Sequence, residues 1–115
     1  MRIVILIFLS CSSLHAQWKA GVAIVDITPN EPMWLSGYAS RKTPHTRVLS
    51  RIHVKALALE DRDGERRLAI TSDLLTMPRK LAEPVARRLA ARFAIPRARV
   101  LLCASHSHST PVIDD

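Results

Sequence analysis

The hydrophobic period changes twice between residues 52 and 104, and few folds accommodate that order of periods. From Ile52 to Leu59 it is two: Ile52, Val54, Ala56 and Ala58 share one side, and His53, Lys55, Leu57 and Leu59 share the other. Asp63-Gly64 supplies residues that tolerate positive φ in a tight turn, and Arg67 to Thr71 returns as a second strand, so a β-hairpin is expected. The period then lengthens to four. Leu81, Val85, Leu89 and Phe93 form a stripe with Ala82 and Ala86 beside it, while Arg87, Arg88 and Arg92 take other faces. That is an amphipathic helix that must lay its stripe on a sheet. It starts near Pro78, or else at Pro84, a favoured first position, and Pro96 ends it. Finally Arg99 to Ala104 ("RVLLCA") is an unbroken apolar run suited to a strand buried on both faces. Strand, helix, strand in this order is a βαβ unit with parallel strands. The fold class is therefore α/β, a β-hairpin plus a βαβ unit in a mixed sheet.

Upstream, Gly21 to Thr28 ("GVAIVDIT") reads as a further buried strand stopped by Pro29. Residues 30–50 carry Pro, Gly and Ser with no period, and a structureless stretch of that size is usually functional. The N-terminus has Arg2, an apolar segment from Ile3 to Leu9, then small and polar residues. This is the layout of a secretory signal peptide over residues 1–16, cleaved after Ala16, and its apolar part is too short to span a bilayer. A lipoprotein box ending at Cys11 is the weaker alternative. The expected location is outside the cell or in a periplasm.

Loss of the leader would remove Cys11 and leave Cys103 without a partner, so no disulfide framework is expected. The formal charge of +7 is spread over scattered residues and a helix face, without aromatic interleaving. It argues for a solvated basic surface and against nucleic-acid binding, while still admitting association with an anionic membrane surface.

In open α/β sheets ligands gather outside the carboxyl ends of strands. Two polar clusters fall there: Thr71-Ser72-Asp73, and Ser105 to Thr110 ("SHSHST"). His106 and His108 stand two apart, which in an extended segment turns both imidazoles to one side. Neutral imidazole is a good zinc ligand, but a catalytic site needs about three protein ligands and an open position. The other candidates are His45 in the irregular stretch, His53 within a strand, Cys103 inside the last strand as a small core residue, and Asp73. Asp73 is either a ligand, a carboxylate orienting a histidine, or a turn residue. The chain offers half of a metal site.

"AGVAIVDITP", "LSGYASR", "TSDLL" and "VLLCASHSHSTP" come in the order found in the N-terminal domain of the neutral/alkaline (non-lysosomal) ceramidases, which this chain resembles from Ala20 to Pro111. The resemblance implies that residues 17–115 are the N-terminal portion of a larger mixed-sheet catalytic domain. It implies a Zn2+ cofactor with His106 as a metal ligand, and His108 as a catalytic group that touches substrate or relays protons. Gly37 and Tyr38 would line the substrate mouth. Zinc would activate a water for attack on the amide carbonyl of an N-acyl lipid such as ceramide, and His108 would pass the proton towards the leaving amine. Met33, Trp34 and Leu35 would lie near that mouth or pack in the core. The remaining ligands implied by the family, a histidine, a glutamate and a tyrosine, are not in this sequence, so the chain by itself is expected to bind zinc weakly and hydrolyse nothing. Thr110 stands where the family has glycine, a place where a β-branched residue would resist positive φ.

Two other readings stay open. One is a different metal hydrolase, of the amidohydrolase type, in which both histidines bind one metal. The other is a non-enzymatic secreted binding module whose histidines are incidental.

Overall fold

The computed structural model describes residues 18–113. The leader assigned to residues 1–16, with Cys11, lies outside them. Four strands and one long helix follow one another as β1 (Lys19–Asp26), β2 (His53–Glu60), β3 (Arg66–Ser72), α1 (Arg79–Phe93) and β4 (Val100–Ala104). A 3-10 turn at Arg97–Arg99 leads into β4. The sheet order is β1-β2-β3-β4, with antiparallel pairing up to β3 and parallel pairing of β3 with β4. Both expected units, the hairpin and the βαβ unit, are present in one mixed sheet.

The hairpin turn is held by Asp61. Its carboxylate accepts from the backbone N–H of Asp63 and of Glu65, and Gly64 sits at φ +79°. Only a residue tolerant of left-handed backbone closes the loop without strain there.

α1 begins after Pro78, so Pro84 lies inside the helix and does not start it. The cost is one missing donor to the Lys80 carbonyl, borne early in the helix, where the stripe already packs inward. At the other end Ala94 adopts φ 54°, and the N–H groups of Ala94 and Ile95 close on the carbonyls of Ala90 and Leu89. A left-handed C-cap of this kind is usual, although glycine is the common occupant.

Cross-strand pairing assigns the two faces of the sheet. Val22, Leu57, Ala69 and Leu101 are mutual partners and share one face. Leu68, Ile70, Ser72, Val100 and Leu102 belong to the other. That second face is the covered one: Ser72 and Val100 are buried, as are Leu74, Ala86 on α1 and Ile95 just beyond it. The first face is open among the described residues.

The openness corrects two expectations. β1 was expected to be buried, yet all eight of its residues are exposed, with Val22 at 81%. It is an edge strand paired only with β2, and nothing among the described residues covers either of its faces. β4 was expected to be buried on both faces, yet Leu101 is 60% exposed because it points to the uncovered side. Cys103, on that same side, is half-buried. No helix of the described residues is long and apolar enough to cross a membrane.

Candidate functional site

Parallel pairing of β3 with β4 brings the two polar clusters to one rim. Past the strand ends the alignment continues: Ser105 N–H donates to the Ser72 carbonyl at 2.9 Å, and Ser107 N–H donates to that of Leu74 at 3.2 Å. The odd-numbered residues Ser105, Ser107 and Ser109 therefore look into one cavity, of about 520 Å³, which Asp73, His45, Arg41 and the 47–52 segment also line. His106 and His108 do not line it. They lie on the opposite side of the segment, with ring centroids 5.0 Å apart and planes at 68°.

His106 departs from extended backbone, at φ 61°. Left-handed geometry is uncommon for a residue with a Cβ and stores local strain, which tertiary contacts must hold. The holding contact is visible: the Nδ1 of His106 lies 3.0 Å from the Leu75 carbonyl oxygen. A carbonyl only accepts, so in the neutral ring Nδ1 carries the proton and the lone pair resides on Nε2. Histidines that bind metals are oriented by this kind of bond through their second nitrogen. The donor chemistry of His106 thus fits a zinc ligand. Among the described residues no three His, Cys, Asp or Glu side chains gather to hold a metal ion.

His108 is placed by neighbours that the sequence does not bring near it. The Tyr38 ring meets its edge at 5.4 Å and 76°. Gly37, at φ +97°, lies so close that a Cβ built on it would fall 2.4 Å from the His108 Cβ. The Gly37-Tyr38 pair and the two histidines are therefore brought together. An isolated bridge between Leu35 and Pro111, with bonds from Ser36 N–H to the Thr110 carbonyl and from Val112 N–H to the Trp34 carbonyl, ties the two segments side by side.

Thr110 meets no backbone difficulty. Positive φ falls on His106 instead, and Thr110 is buried at 1% exposure with its hydroxyl on the Ser107 carbonyl. Asp73 orients neither rim histidine: its Oδ2 accepts the His53 backbone N–H at 2.9 Å and stands 3.8 Å from the His53 Nδ1, beyond hydrogen-bond distance. His45 fastens the irregular stretch to itself, its Nδ1 accepting the Met33 N–H at 3.0 Å while its own N–H donates to the Met33 carbonyl. Asp26 is held well below the ordinary carboxylate range, first by the Thr28 hydroxyl and backbone N–H, then by Arg51. Its bonds tie the end of β1 to the loop.

Leu75 and Arg41 lie outside the site residues that period and motif single out. Leu75 contributes only a backbone carbonyl, for which no residue type is a signal. Arg41 did carry one, as the charged end of the "LSGYASR" stretch.

A mixed α/β sheet that presents serines on one side of the segment after two parallel strands, and two histidines with a tyrosine on the other, has the architecture of a ligand-binding rim. No family model matches the chain. Over 104 residues it is 30% identical to the neutral ceramidase of Drosophila melanogaster and 32% identical to that of Drosophila pseudoobscura pseudoobscura, covering 88% of this chain and 15% of each relative. The fold superposes on crystalline neutral ceramidase from Pseudomonas aeruginosa with a TM-score of 0.76 at 25% identity, covering 84% of this chain and 16% of that one. A solved ceramidase complexed with C2 gives 0.74 over the same shares. The chain is related to the neutral ceramidases, and it spans about 15% of the length of the curated relatives it matches.

Proposed function

We propose that this chain supplies one side of a secreted, zinc-dependent active site that hydrolyses the amide bond of an N-acyl lipid of the ceramide type. The observation that carries the reading is the bond between the His106 Nδ1 and the Leu75 carbonyl, which leaves the lone pair of Nε2 free to bind a metal beside His108. Relatedness to the neutral ceramidases supports the substrate class.

His106 would hold the zinc through Nε2. When bound, zinc supplies Lewis acidity and lowers the pKa of water to about 7. His108, edge-on to His106, would take a proton and pass it towards the leaving amine. Tyr38, 56% exposed and in edge contact with His108, offers the substrate a flat apolar surface with a hydroxyl at its tip. Association with an anionic membrane surface belongs to the same reading. Trp34, Val48 and Leu49 are exposed around the rim, and Lys42 and Arg47 stand nearby in the same loop.

The test is zinc titration of the chain by calorimetry, followed by NMR titration of the zinc-loaded chain with a short-chain ceramide. Weak zinc uptake that His106→Ala removes, and ceramide-dependent shifts of the Tyr38 and His108 signals, are expected. Zinc uptake that His106→Ala leaves unchanged sinks the metal reading, and unmoved Tyr38 and His108 signals sink the substrate.

A further inference from the structure

Arg41 lies in the irregular stretch between β1 and β2, yet it is half-buried and both of its Nη groups are engaged. Its Nη1 donates to the Ser36 carbonyl at 2.6 Å and to the His108 carbonyl at 3.0 Å, with the Leu35 carbonyl at 3.5 Å. Its Nη2 donates to the Ser109 hydroxyl at 3.0 Å, and its guanidinium carbon stands 4.9 Å from the centroid of the Tyr38 ring. No carboxylate pairs with it among the described residues, although most other acidic side chains described here are taken up in ion pairs.

A charged group that spends its donors on backbone carbonyls and one hydroxyl is fastening chain segments together. The guanidinium is suited to this, because its planar fork presents several donors in fixed directions and its face packs on an aromatic ring. The two segments it joins carry Gly37-Tyr38 on one side and His108-Ser109 on the other. Gly37 has no side chain to keep them apart, and a Cβ there would collide with His108. Closeness alone does not set the angle between two rings. The fork does, because it reaches around Tyr38 to the carbonyl of the residue that Tyr38 touches.

We infer that Arg41 is a positioning residue: it holds the Tyr38 ring against the His108 imidazole, and so sets where the proton-handling histidine and the substrate mouth meet. The catalytic meaning of this rests on the reading above, whereas the positioning itself does not. A contiguous run of contacts results, from Arg41 through the edge-on Tyr38, His108 and His106 rings to the Leu75 carbonyl.

The experiment is NMR of the metal-free chain, comparing wild type with Arg41→Met, Arg41→Lys and Ser109→Ala. The readouts are the His108 ring-proton shifts, which sense the Tyr38 ring current, and the Tyr38–His108 cross-relaxation peaks. Arg41→Met is expected to lose those peaks and move the His108 shifts towards those of a free imidazole, while amide signals of β2 and β3 stay in place. Arg41→Lys is expected not to restore them, since one ammonium cannot replace the fork. Ser109→Ala, which removes only the Nη2 branch, should give a smaller shift in the same direction, and it keeps the test decisive should Arg41→Met fail to fold. Unchanged His108 shifts and peaks in a folded Arg41→Met chain, or in Ser109→Ala where that variant alone folds, would overturn the inference. Zinc uptake that His106→Ala leaves unchanged would sink the metal reading and leave this result standing.

Discussion

Gly37 lies directly against His108: a Cβ added at residue 37 would fall 2.4 Å from the His108 Cβ and 2.5 Å from its Cα. Because the obstacle includes backbone, it cannot swing aside, and φ at +97° strains any other residue. Gly37→Ala is therefore expected to destabilise the chain by about 2–4 kcal/mol, summing backbone strain and overpacking. A fall in the denaturant midpoint checks this, and an unchanged midpoint would mean that the two segments are not in contact.

The lone pair assigned to the His106 Nε2 distinguishes the two histidines. His106→Ala is expected to abolish zinc uptake, while His108→Ala weakens it by about tenfold to a hundredfold, as loss of a neighbouring group does. Calorimetric zinc titration of both variants is the check. Equal loss in the two would favour the amidohydrolase-type arrangement, in which both rings bind one metal.

Asp73→Ala leaves the half-buried His53 N–H without its acceptor. An unmet donor costs about 1–3 kcal/mol, so thermal unfolding should occur earlier, and hydrogen exchange at His53 should accelerate. Asp73→Asn, which keeps an acceptor oxygen, is expected to recover most of the loss.

Acid should loosen the sheet edge first. Asp26 is held down by Thr28 and then Arg51, Glu60 by Lys19 and then Arg66, and Asp61 chiefly by Arg67. All three have folded pKa values below their unfolded ones. Their contribution is thus fully present above the unfolded value, about 4, and is lost as pH falls through the folded one. The unfolded chain binds more protons in that window, so stability rises with pH there. A melting temperature that falls below about pH 4, and falls less in high salt because these pairs are exposed, is the expected profile.

Val22 is 81% exposed on β1. Val22→Thr should change stability by no more than about 0.5 kcal/mol while reducing self-association of the open edge, read by sedimentation. A loss of about 1 kcal/mol or more would show that Val22 is covered in solution.

The hairpin and the βαβ unit were legible because each depends on local pattern. Alternation over residues 52–59, Asp63-Gly64, the four-residue stripe from Leu81 to Phe93 and "RVLLCA" each point to one backbone conformation. Burial was less legible. An apolar β-branched run reads alike in a sheet centre and at an open edge, so "GVAIVDIT" was expected to be covered and is not. The helix start was ambiguous because both Pro78 and Pro84 suit a first turn, and the bonds from the Leu81 and Ala82 N–H groups to the Pro78 carbonyl mark the earlier one.

The sequence by itself determined the order of elements, the parallel strand pair and the arrival of two polar clusters at one rim, because these follow from side-chain period and chain direction. Only the tertiary structure decided which groups meet there. It turned Asp73 to His53, gave His106 a left-handed backbone and the Leu75 carbonyl, and drew Gly37, Tyr38 and Arg41 onto His108 across some seventy residues of chain. Contacts of that separation arise from how segments pack, and no local spacing encodes them.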